Sequence, residues 1–273
     1  MRNIGLVLVQ SAPRVAYEPL ISGIEHGLEE MFVRSGISLV TRVVRDRAAE
    51  LEVYRYWHAT TAVDAVVLVR LRQHEERIDF LKHLGIPFVA VADTLEVGDF
   101  SAVTIDSGSM MREAVSYLSS HGHADIAYVK APEETVLSDT RTKMFINEAR
   151  RIGIRGRVVS AELTEAGAHQ VTTRLISDDG PRPSAIIYDD DVTAVAGLEA
   201  IKSLGLRVPD DVAVLAWNDS VQCQSATPPV TALSDQAHMI GILAATSLMQ
   251  ALKSGDRTVL EVPDSFVVQR MSA

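Results

Sequence analysis

The 273-residue chain carries a single cysteine, Cys223, so it cannot form an internal disulfide. That usage fits a reducing compartment, although many exported bacterial proteins also lack disulfides. No apolar run approaches the roughly 18 residues of a membrane span. The opening MRNIGLVLVQ is only a strand long, with neither a signal-peptide core nor a small-residue cleavage site. A cytoplasmic location is expected. Positive charge is not in excess: 26 Lys and Arg stand against 36 Asp and Glu, a formal net charge of −10, so bulk electrostatics give this chain no hold on nucleic acid by itself. Long linkers, low-complexity tracts and charge blocks are missing. No GxGxxG, P-loop or GxSxG string occurs, so the usual enzymatic uses of an α/β sheet lack their motifs. Neither enzymatic activity nor a cofactor is expected.

What is present is a globular composition, 47% hydrophobic, long enough for one large or two medium domains. The most informative stretch is Ser184 to Ser220, which reads as one βαβ unit. Ala185 to Tyr188 has the length and branched content of a buried parallel strand, and Asp189, Asp190 and Asp191 stand where it ends. Val192 to Leu204 repeats apolar residues at helical spacing, Gly205 closes the helix, and Pro209 bars its continuation. Val212 to Ala216 is a second strand ending in Trp217, Asn218 and Asp219. Two neighbouring strand ends therefore carry polar groups at one sheet edge, where open α/β sheets bind ligands.

Taken in order, strands are expected at Ile4 to Val9, Ser38 to Val44, Ala65 to Val69, Phe88 to Ala92 and Val103 to Ile105. Helices are expected at Pro19 to Ser35, Arg47 to Thr60, Glu75 to Leu84 and Ser109 to Ser120. A second series follows, with strands at Ile126 to Val129 and Arg157 to Ser160 and helices at Thr140 to Ile152 and Gly167 to Ser177. The βαβ unit above continues it, and a helix at Met239 to Lys253 and a strand at Phe266 to Gln269 close the chain. The second series repeats the layout of the first, so two doubly wound parallel-sheet α/β lobes are the economical reading. Three consecutive aspartates at one strand end point in different directions, and His121 and His123 alone are too few ligands, so no metal is expected. The two histidines read instead as helix-capping groups.

GLRVPDDVAVLAWND (Gly205 to Asp219) followed by PPVTALSDQ (Pro228 to Gln236) resembles the effector-binding core of LacI/GalR-type bacterial transcription regulators. Further similar strings are VDAVVLV (Val63 to Val69), GIPFVAVAD (Gly85 to Asp93), VTIDSG (Val103 to Gly108), HGHADIAYV (His121 to Val129), the Arg141 to Phe145 segment and FVVQRMS (Phe266 to Ser272), in the family's order over nearly the whole chain. The resemblance implies a type I periplasmic-binding-protein-like fold, with three crossovers near Met110, Gln236 and Asp264. The lobes would then be residues 1–109 plus 237–263 and residues 110–236 plus 264–273. It also implies a small effector, a sugar or related metabolite, held between the lobes. A homodimer would transmit closure to operator DNA through a helix-turn-helix headpiece that this chain does not contain.

The same resemblance assigns site residues. Asp190 would accept hydrogen bonds from effector hydroxyls, against the alternative of an N-cap, a role expected instead of Asp191. Arg141 matches the family's effector-contacting arginine, against an ordinary salt bridge. Asn218 stands where family members often carry an aspartate, a change from acceptor to donor–acceptor that alters effector choice. In the first lobe Ser11, Arg14 and Tyr17 follow the opening strand and depart from the family's usual Asp, Asn and aromatic; Arg70 and Asp93 end neighbouring strands. Convergence of Arg14, Arg70 and Arg141 suggests an acidic or phosphorylated effector. Trp217 reads either as a sugar-stacking face or as a core residue, and Asp219 as structural. A solute-binding protein that delivers a sugar to a permease would share the fold and is the alternative.

Overall fold

A computed structural model describes residues 2–9, 19–72, 74–94, 98–132, 136–162, 164–178, 180–234 and 236–273. The chain forms two compact units, the first built from Met1–Asp106, Thr135–Leu137 and Gln236–Pro263, the second from Ser107–Glu134, Ser138–Asp235 and Asp264–Ala273.

In the first unit the elements run β1 (Arg2–Val9), α1 (Pro19–Arg34), β2 (Ile37–Val44), α2 (Arg47–Thr60), β3 (Ala65–Leu68), α3 (Glu76–Leu84), β4 (Phe88–Asp93) and β5 (Ser101–Ile105). The second unit contributes α4 (Ser107–Ser120), β6 (Asp125–Lys130), α5 (Val136–Ile152), β7 (Arg155–Ser160), α6 (Glu165–Ser177), β8 (Ala185–Tyr188), α7 (Asp191–Ser203), β9 (Ala213–Ala216), α8 (Val221–Ser225) and β10 (Thr231–Leu233). The chain then returns to the first unit for α9 (Ala237–Ser254) and β11 (Val259–Glu261), and ends in the second with β12 (Val267–Val268).

The first sheet has the order β2-β1-β3-β4-β5-β11, and all its described pairs are parallel. Its strands alternate strictly between two cores. Ile4, Leu6, Ala65 and Val67 face α1 and α9, while Val7, Val66 and Leu68 face Tyr54 and Trp57 of α2. A parallel sheet covered on both faces needs apolar residues at both parities, which is why these strands read as continuous apolar runs. The helices α1 and α9 pack backbone to backbone. A Cβ on Gly27 would overlap the carbonyl oxygen of His238, and one on Gly241 that of Ile24.

The second sheet repeats the order as β7-β6-β8-β9-β10-β12, with β12 antiparallel. Ala127, Val129, Ile186, Tyr188, Val214 and Ala216 form one core with α6 and α7; Ile126, Tyr128, Ala185, Ile187, Ala213 and Leu215 form the other with α4 and α5. The C-terminal tail is tied in by Ser272, whose hydroxyl donates to the Val214 carbonyl (2.6 Å) and accepts from the Thr231 amide (2.8 Å).

Both sheets have the flavodoxin-like order 2-1-3-4-5, whose switch points lie between β1 and β3 and between β6 and β8. Helices flanking such points begin beside the carboxyl ends of the strands, which gathers polar strand-end residues at that edge. His121 ends α4 with Nδ1 2.8 Å from the Tyr117 carbonyl oxygen, the capping position expected of it. No helix among the described residues is long and apolar enough to cross a membrane.

Candidate functional site

In the second unit the carboxyl ends of β6, β8 and β9 lie side by side, because β8 pairs with both neighbours. The residue at the centre is Asp189, which in the sequence stands out only as part of an acid cluster. Its Oδ1 accepts from the Tyr128 hydroxyl (2.7 Å) and from Arg141 Nη1 (2.7 Å), and Oδ2 accepts from the Ala131 amide (3.3 Å). The carboxylate is buried, its side chain 5% exposed, and that of Arg141 is 14% exposed. Burial first, and then the Asp189 charge, hold the Tyr128 hydroxyl well above its ordinary pKa, so it remains a donor.

Arg141 sits on α5 and its guanidinium lies 4.0 Å above the centre of the Trp217 ring at the end of β9. This is a stacked cation over an aromatic face, desolvated and orientated from two sides. Trp217 is buried in the core beside Tyr128 and Phe145, so of its two expected roles the core one holds and its ring face is covered by Arg141. One polar atom of the arginine, Nε, is buried without a hydrogen-bond partner among the described residues. The position is that of an arginine fixed at a sheet edge with donor capacity in reserve.

The acid cluster divides by strand parity. Asp189 continues the face of Ala185 and Ile187, which packs toward Tyr128 and Trp217. Asp190 is the N-cap of α7: its Oδ1 accepts from the Thr193 amide (2.7 Å) and hydroxyl (2.6 Å). The expected assignment of the cap to Asp191 is therefore corrected, because Asp190 has the extended backbone (φ −149°) that aims its side chain at the first helical amides. Asp191 is the first helical residue and is buried, with Oδ2 lacking a hydrogen-bond partner among the described residues. Asn218 lies half-buried just beyond β9, and its carbonyl accepts from the Cys223 thiol (3.6 Å). Burial pushes that thiol up to about 11. Asp219 is structural as expected, accepting from Arg270 Nη2 at 2.7 Å.

In the first unit, Asp93 ends β4 and is buried, and Arg70 follows the adjacent β3 and is exposed, with φ +55°. The left-handed backbone at Arg70 is held by a network not anticipated from sequence. Arg77 Nη2 donates to the carbonyls of Val69 (3.2 Å) and Arg70 (3.1 Å) and to Glu75 (2.6 Å), and Nη1 donates to Glu50 (3.0 Å), which also accepts from Tyr54 (2.8 Å). All four side chains are largely enclosed, so each charge has its partner. Burial acts to raise Glu75, but the hydrogen bond and charge of Arg77 outweigh it and hold the carboxyl below its ordinary value. Ser11, Arg14 and Tyr17 lie outside the described residues. The idea that Arg14, Arg70 and Arg141 supply net positive charge to a ligand loses one member, since the Arg141 charge is already matched by Asp189.

Two doubly wound α/β units in one chain, each with polar groups at the carboxyl edge of its sheet, define the class of periplasmic-binding-protein-like folds. The family model of the periplasmic binding protein-like domain matches residues 115–272. A solved LacI family transcriptional regulator from Bifidobacterium animalis subsp. lactis is 32% identical, with a TM-score of 0.92, covering 100% of this chain and 97% of that one. The HTH-type transcriptional repressor PurR of Pasteurella multocida is 22% identical across 98% of this chain and 80% of its own length. The HTH-type transcriptional regulator CelR of Thermobifida fusca is 26% identical across 88% and 71%. A solved transcriptional regulator CelR–cellobiose complex superposes with a TM-score of 0.89 at 24% identity, over 99% of this chain and 84% of that one. This chain belongs to the LacI family of transcription regulators and carries that family's periplasmic-binding-protein-like core.

Proposed function

We propose that this chain is the effector-binding core of a ligand-responsive, cytoplasmic transcription regulator without enzymatic activity. Its effector is a neutral, hydroxyl-rich small molecule, a sugar or related metabolite, held between the two lobes. The observation that carries this reading is the Arg141–Asp189 pair stacked on Trp217 at the β6/β8 switch point: a donor fork whose charge is internally balanced suits hydroxyls better than a phosphate or carboxylate. Asp190 and Asn218, next in the chain to Asp189 and Trp217, would add an acceptor and a donor–acceptor, and Arg70 and Asp93 would be the contributions of the first lobe. The CelR–cellobiose complex makes a disaccharide a reasonable first probe.

Closure on the effector would change how a homodimer places its headpieces on operator DNA, provided the effector binds one state better than the other. The dimer reading draws on the edge of the first sheet. Val33 of α1, Val43 of the edge strand β2 and Tyr56 of α2 are 77%, 60% and 61% exposed, apolar groups on three adjoining elements that a second copy would cover. The alternative, a solute-binding protein serving a permease, shares the fold, but the relatives named above are regulators.

The test is a thermal-shift screen of sugars, sugar phosphates and nucleobases, followed by a turnover assay on any ligand found and by light scattering. A stabilising neutral sugar, unchanged after incubation, and a dimer mass support the reading. Stabilisation only by phosphorylated compounds, chemical conversion of the ligand, or a monomer at micromolar concentration would each remove the corresponding part.

A further inference from the structure

Three ligating side chains meet on the first unit, away from the strand ends. His26 and Glu30 are one turn apart on α1 and so share a face. His238, in the first turn of α9, reaches the same place: its Nε2 is 3.0 Å from Glu30 Oε2, and its ring centroid is 5.1 Å from that of His26. One donor atom from each residue lies within 4.8 Å of the other two. We infer that His26, Glu30 and His238 form a binding site for a divalent transition-metal ion of the zinc class.

Two imidazoles and a carboxylate are the donor set that suits zinc, cobalt, nickel or copper, and fits calcium or magnesium poorly. Tetrahedral zinc with ligands at about 2.0–2.2 Å needs donor atoms ~3.3 Å apart, so rotation of exposed side chains suffices to close the set. A fourth position is left for water. The scaffold is stiff, because Gly27 faces the His238 carbonyl and Gly241 the Ile24 carbonyl with no space for a Cβ. Ligands carried on two helices in backbone contact are held in register before the ion arrives. Arg34 Nη2 also touches Glu30, at 3.3 Å, and is the cation that a metal would displace or share. An ion here would clamp α1 to the start of α9, where the chain has just re-entered the first unit.

The site is complete within one chain, so one ion per chain is expected whatever the assembly. The experiment is calorimetric titration of the tag-free 273-residue chain with zinc chloride, together with the visible spectrum of the cobalt(II)-loaded protein. The expected result is one equivalent of zinc per chain and the intense absorption of low-coordinate cobalt. Affinity should fall by at least ~10-fold in His26→Gln and in His238→Gln, since even groups that only orient a ligand cost that much. His121→Gln should leave it unchanged. Metal-free melting of each variant, followed by circular dichroism, checks folding; both substituted histidines are exposed. No uptake by the wild type, or uptake undiminished in both His26→Gln and His238→Gln, overturns the inference.

Discussion

Replacing Arg141 by methionine leaves the Asp189 carboxylate with two donors instead of three, in a place where its side chain is 5% exposed. Breaking a buried pair by removing one partner costs about 3–5 kcal/mol. Here Arg141 is 14% exposed, and the Tyr128 hydroxyl and Ala131 amide stay in place, so the lower end applies, about 3 kcal/mol including the lost stacking on Trp217. Asp189→Asn should cost less, because the stranded guanidinium is closer to water. The double variant should be markedly better than the sum, with a coupling of about 2 kcal/mol. The chain has two tryptophans, one in each unit, so a Trp57→Phe background leaves Trp217 as the reporter of the second unit alone. Urea unfolding followed by that fluorescence gives the four stabilities of the cycle on one unit, avoiding a two-state treatment of the whole chain. Additivity within about 0.5 kcal/mol would refute the view that Asp189 and Arg141 act as one group.

The Asp190 cap separates chemistry from folding: Asp190→Ala should destabilise the second unit by about 1 kcal/mol, whereas Asp190→Asn, an equally good cap, should change stability by a few tenths at most, as urea midpoints will tell. Cys223, with its thiol pushed up to about 11, should react with a disulfide reagent at pH 8 far more slowly in the folded chain than in urea, and equal rates would contradict its burial. Glu75 has a folded-state pKa below its ordinary 4.5, so the stability it contributes is present above that pH and lost as pH falls through the folded value; acid unfolding of Glu75→Gln should depend less steeply on pH below about 4.5 than that of wild type.

Most of the fold was legible because each buried parallel strand appears as a short apolar run between Gly, Pro or acidic punctuation, and each flanking helix as a 3.6-residue repeat. What escaped were pieces too short for any period to register: β10 and β11, three residues each, and the five-residue α8. The two strands exist through pairing with β9 and β5, across many intervening residues. At the candidate site the sequence singles out Arg141 but not its partner Asp189. Asp189 could have been picked out by counting in twos from Ala185 and Ile187, which puts it on the face of the strand opposite Asp190. Its bond to Tyr128, 61 residues away, requires knowing that β6 and β8 are neighbours. The Arg77 network gave no local sign, since Glu50, Glu75 and Arg77 look like ordinary helix-surface charges until Tyr54 encloses them. The histidine cluster of α1 and α9 was hidden for the same reason, His238 being 208 residues from Glu30.

The most direct test of the effector assignment is calorimetric titration of the best sugar from the screen into the wild type, Arg141→Met and Asp190→Asn. The account predicts one site per chain in the wild type, no measurable binding in Arg141→Met, and weakened binding in an otherwise stable Asp190→Asn. Undiminished affinity in both variants would contradict it and place the effector elsewhere.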